Sequence, residues 1–174
     1  MALVTVFLFL ILQAPSPISL IIAVLCHETA HFFTSLILSG QMPHISVMGA
    51  GLRMCCPGLY SVTKQLSVSL AGPLCSLLLS LLFHNCYYFS IYSLSLFFIN
   101  LFPCAYLDGG QILSALLYKY LEPCKAYYVC RTVSLVSYSV IFIFNCSVQL
   151  KFGTNLTLLC FTIFLTLTLL GKDR

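Results

Sequence analysis

Charge is what this chain has least of: only 7% of its 174 residues are Asp, Glu, Lys or Arg, where an average globular domain carries roughly 25%. So few polar side chains cannot cover a water-facing surface, which excludes a soluble domain of this size. Basic residues are also too scattered to form a patch, and with a formal net charge of +4 the chain is not expected to bind nucleic acid. CxxC pairs are absent although there are ten cysteines. Cys26, Cys75, Cys130, Cys146 and Cys160 fall singly in apolar stretches and read as small hydrophobes rather than a disulfide framework. Adjacent Cys55 and Cys56 are assigned no role. No internal repeat, low-complexity segment or soluble second domain is discernible.

What remains is 60% hydrophobic, with a mean hydropathy of +1.04, as expected of an integral membrane protein. Six spans can be drawn. Ala2 to Leu12 is a short first span, stopped by Pro15 and Pro17; without a basic n-region it does not read as a signal peptide. Ile18 to Leu38 is the second, ended by Gly40. Residues 41 to 62 break the apolar pattern with prolines and glycines around Ile45-Ser46-Val47-Met48, predicting a membrane-associated loop with a short β-hairpin. Lys64 to Phe83 follows. Tyr87 to Leu121 is predicted to be a broken fourth span, unwound at Pro103 and Gly109-Gly110. Ala126 to Phe144 and Leu156 to Leu170 complete the set. The fold class is therefore all-α and polytopic, one membrane-embedded domain over residues 1–174. With a cytoplasmic N-terminus, Arg53, Lys64, Lys119, Lys125, Lys172 and Arg174 all fall on the cytoplasmic side and only Lys151 on the other, as the positive-inside rule requires. Both termini are then cytoplasmic. Asn145-Cys146-Ser147 and Asn155-Leu156-Thr157 match the glycosylation sequon on the outer side and are read as coincidental.

Acids number four: Glu28, Asp108, Glu122 and Asp173. Two of them, Glu28 and Asp108, lie deep in apolar sequence, where an acid costs about 2.5 to 3.5 kcal/mol to insert. Such residues ask for a function. Glu28 belongs to His27-Glu28-Thr29-Ala30-His31, an HExxH pattern about halfway along the second span. Residues four apart share a helix face, so His27 and His31 can grip one zinc ion while Glu28 stands beside the attacking water as general base. A catalytic zinc site needs a third ligand from elsewhere. Among His44, His84, Asp108, Glu122 and Asp173, only Asp108 sits in a break inside a span, so elimination selects it. The competing reading makes Asp108 the cap of the helix that follows.

Three motifs occur in order: HETAH, then Ala71-Gly72-Pro73, then Asn100-Leu101-Phe102-Pro103 with Leu107-Asp108-Gly109-Gly110. Together, across residues 18 to 121, they resemble the site-2 protease family of intramembrane zinc metalloproteases, and within it the small bacterial branch that includes a sporulation protease. The resemblance implies one zinc ion held by His27, His31 and Asp108, and Glu28 as catalytic acid/base. It places Asn100 near the substrate or the oxyanion, although a buried asparagine serving the backbone freed by Pro103 accounts for it equally. Gly72-Pro73 reads as packing and kink geometry. Gln111 and Ser76 depart from the family pattern, which has a basic residue and an asparagine there; neither is a proposed ligand. No PDZ or CBS module is expected, leaving a bare catalytic core.

The expected function is cleavage of transmembrane or membrane-proximal peptide bonds by zinc-activated water. The substrate is a membrane protein or membrane-associated peptide, and the location a bacterial cytoplasmic membrane. An extended substrate could pair with the edge of Ile45, Ser46 and Val47. The alternatives are a catalytically inactive zinc-binding scaffold or a metal permease.

Overall fold

The computed structural model describes residues 15–40, 44–48, 51–55, 61–104 and 107–152. The first helix, α1 (Pro17–Ser39), starts with proline in its first turn, where the missing N–H costs nothing. It ends at Gly40, whose φ of 66° is left-handed and whose N–H donates to the Leu36 carbonyl at 2.9 Å. Its 23 residues span about 34 Å, enough for a hydrocarbon core of about 30 Å. Two short strands follow, β1 (His44–Met48) and β2 (Gly51–Cys55), antiparallel with Ile45 opposite Met54, Ser46 opposite Arg53 and Val47 opposite Leu52.

Helix α2 (Val62–Leu82) carries Pro73 inside it, which removes the N–H that the Ser69 carbonyl would otherwise accept. A tight turn leads to α3 (Tyr87–Asn100). Ser80 and Ser90 join these two helices, their hydroxyls 3.2 Å apart and the Ser90 hydroxyl donating to the Ser80 carbonyl at 3.0 Å. The chain then unwinds through Pro103 and resumes as α4 (Asp108–Tyr120). At about 21 and 20 Å, α3 and α4 are each too short to cross a bilayer alone. Helix α5 (Pro123–Phe152) completes the described residues.

Packing inverts the rule for soluble proteins. The buried face of α1 is Ala23, His27, His31 and Ser35, and that of α2 is Ser69, Gly72, Pro73, Ser76 and Ser80. Large apolar side chains point outward instead, with Ile18 70% and Ile37 79% exposed. Small inner residues let backbones approach closely, and lipid receives the rest. Helix α2 is central: α1 packs on α2 and α3, while α4 packs on α2 and α5.

Among the described residues three helices are long and apolar enough to cross a membrane: Pro17–Ser39, Val62–Leu82 and Pro123–Ile143. The expected spans over residues 2–12 and 156–170 lie outside the described residues. The fifth expected span, Ala126 to Phe144, corresponds to Pro123–Ile143, although helix α5 itself runs on to Phe152. Neither glycine nor proline occurs between Cys124 and Phe152, so the helix continues past the apolar stretch. Asn145-Cys146-Ser147 and Lys151 therefore lie on a helix and not in the loop expected for them.

Candidate metal centre

Helix α1 sets two imidazoles one turn apart on its buried face, with His27 3% and His31 9% exposed. Asp108 reaches them from the first residue of α4, 81 and 77 positions further along the chain. Its carboxylate oxygen Oδ2 lies 3.1 Å from His27 Nε2 and 3.2 Å from His31 Nε2, and the two Nε2 atoms are 3.3 Å apart. The three atoms thus form a nearly equilateral triangle. Ligands at about 2.0 to 2.1 Å from a tetrahedral zinc ion stand about 3.3 Å from one another, so this triangle has the dimensions of one face of such a site.

The outer nitrogens decide what the inner ones can be. His31 Nδ1 lies 2.7 Å from the Val68 carbonyl, which can only accept, so Nδ1–H donates and Nε2 of the neutral ring carries a lone pair. His27 Nδ1 is 2.9 Å from the Ser76 hydroxyl, which can accept in the same way. Three electron-rich atoms then face one another in a buried pocket. That is favourable when a positive charge is shared among them, either a metal ion or a proton carried by one imidazole beside the carboxylate. Two imidazoles and a carboxylate suit zinc, and with three protein ligands they leave a coordination position free for chemistry.

Two glycines make room. A Cβ on Gly72 would overlap the His31 ring and approach His27 Nε2 to 2.8 Å, so α2 lays bare backbone against the ligand edge. A Cβ on Gly109 would collide with the Leu101 and Phe102 carbonyls, so α4 can begin tight against the unwound segment only with glycine there. Both requirements are steric.

His27, His31 and Asp108 come together as the sequence predicts, and they are the one metal-competent group of His, Cys, Asp or Glu among the described residues. Asp108 is not the helix cap of the competing reading: the cap position is Leu107, and no side-chain capping bond is made. Glu28 is exposed beside the buried His27. Asn100 donates from Nδ2 to the Leu96 carbonyl at 3.0 Å, a bond to its own helix. Ile45, Ser46 and Val47 lie on β1, whose one strand neighbour among the described residues is β2. Of the rejected ligand candidates, His44 opens β1, His84 is exposed with Nδ1 3.3 Å from the Leu81 carbonyl, and Glu122 pairs with Lys125 at 3.1 Å on the surface. Asp173 lies outside the described residues. Sequence reasoning missed Ser76, the Val68 carbonyl and the steric part played by Gly72. Gly72 and Ser76 are four apart, on one helix face, and that spacing was the available signal.

Comparison with known proteins adds to this geometry. Residues 82–144 match the model of peptidase family M50, a stretch that includes Asn100 and the LDGG motif but not HETAH. The fold is similar to that of a site-2 protease from Methanocaldococcus jannaschii, with a TM-score of 0.69 and 21% identity over 99% of this chain and 86% of that one. No curated protein matches the sequence.

Proposed function

We propose that this chain is a membrane metalloprotease of the site-2 protease type, which hydrolyses peptide bonds in or next to transmembrane segments at a zinc ion held by His27, His31 and Asp108; the M50 match over residues 82–144, the similar fold and the clustered side chains support the reading. One observation carries this reading: three ligand atoms within 3.3 Å of one another, with both outer histidine nitrogens engaged by Val68 and Ser76. A zinc ion bound there supplies Lewis acidity, acidifying water and polarising the scissile carbonyl. Glu28 takes the proton from the attacking water and returns it to the departing amine. Its exposure beside a buried ligand suits that role, since a general base has to meet both solvent and substrate.

The substrate must be unwound at the cut, because a helix keeps its carbonyls in its own hydrogen bonds. The edge of β1 at Ile45, Ser46 and Val47 that has no strand neighbour among the described residues is where an extended segment pairs, and Asn100 is a further candidate for substrate contact. A six-span arrangement with both termini in the cytoplasm of a bacterial cell belongs to the same reading, supported by the distribution of basic residues.

The test is cleavage of single-span peptide substrates by purified protein in lipid, with chelator and with zinc added back. Loss with chelator and recovery with zinc are expected. Turnover indifferent to chelator excludes the metal mechanism. Zinc binding without any turnover favours the inactive scaffold, and zinc flux through sealed vesicles the permease.

A further inference from the structure

We propose that Ser76 is a positioning residue of the metal centre: its hydroxyl accepts the Nδ1 proton of His27 and so fixes the ring with an unprotonated Nε2 toward the ion. The inference rests on the proposed metal site and goes beyond it by adding a residue that is not a ligand. Ser76 is 1% exposed, and its Oγ stands 2.9 Å from His27 Nδ1 across the α1–α2 interface. A histidine ligand needs its second nitrogen engaged, because otherwise the ring rotates and either tautomer is populated. For His31 the Val68 carbonyl enforces the choice, since a carbonyl can only accept. Serine can donate or accept. If Ser76 donated, His27 would carry its proton on Nε2 and oppose an ion; metal loading therefore selects the accepting arrangement.

Among the described residues Ser76 is the hydrogen-bond partner of His27 Nδ1, and the close approach of Gly72 holds α2 where Ser76 can make this contact. The neighbouring Ser80 offers an internal control: it is also buried on α2, one turn further on, but it bonds with Ser90.

Zinc affinity by chelator competition, with the visible spectrum of the cobalt-loaded protein, tests the assignment. Ser76→Ala is expected to weaken zinc binding about 10- to 100-fold and to alter the cobalt spectrum, without lowering the melting temperature of the metal-free protein. Ser80→Ala is expected to leave affinity and spectrum unchanged, and Ser76→Thr, which keeps a hydroxyl, to restore most of the affinity. Ser76→Ala binding zinc as tightly as the parent overturns the proposal, as does an equal loss in Ser80→Ala. A parent protein that binds no zinc overturns the proposed function as well, so the two failures are distinguishable.

Discussion

At the residue scale, the proposed function separates groups that hold the ion, His27, His31 and Asp108, from the group that uses it, Glu28. Glu28 is outside the ligand triangle, so Glu28→Gln should leave zinc content unchanged while cleavage falls about 100- to 10,000-fold, measured as peptide turnover beside metal analysis of the same sample. Asp108→Asn should do the reverse in order of cause: zinc is lost on dialysis against a weak chelator, and activity follows. Gly72→Ala drives a methyl group against Nε2 of His31 and of His27, so it should cost metal affinity although Gly72 itself supplies no ligand atom. Retention of full affinity in that variant would show that α2 can retreat without harm. The meeting of His27, His31 and Asp108 was legible in the sequence because HETAH is a local pattern and Asp108 had few rivals. The parts of Ser76, Val68 and Gly72 were harder to read: the spacing of Gly72 and Ser76 puts them on one face of α2, but that this face meets α1 is a property of the fold.

At the scale of elements, starts and stops are set by backbone chemistry more than by hydropathy. Gly40 closes α1 at a φ of 66° with nothing near its missing Cβ, so Gly40→Ala should cost about 1 to 2 kcal/mol from backbone strain alone. Thermal unfolding in detergent should reveal that loss while zinc affinity stays put. The break between α3 and α4 was legible from Pro103 and the glycine pair, and Gly109 is indeed where bulk cannot be accommodated. The length of α5 was not legible in the same way. Apolar composition marks how far a segment stays in lipid, whereas a helix continues until something interrupts its hydrogen bonds, and nothing does before Phe152.

For the molecule as a whole, the interior is narrow and the exterior bulky. Ser35→Leu, at a position with no exposure, should destabilise by about 1 to 3 kcal/mol through overpacking, whereas Ile37→Ala, at 79% exposure, should change unfolding little. Equal effects would contradict the inside-out arrangement. The ligand triangle also spans the whole described core: its two imidazoles arrive with α1, its carboxylate with α4, and α2 stands between them. During synthesis the histidine pair must therefore wait for at least 77 more residues before its third ligand exists. If the proposed metal site is the source of activity, hydrolytic competence arrives late, in a single step, once Asp108 has joined the histidine pair.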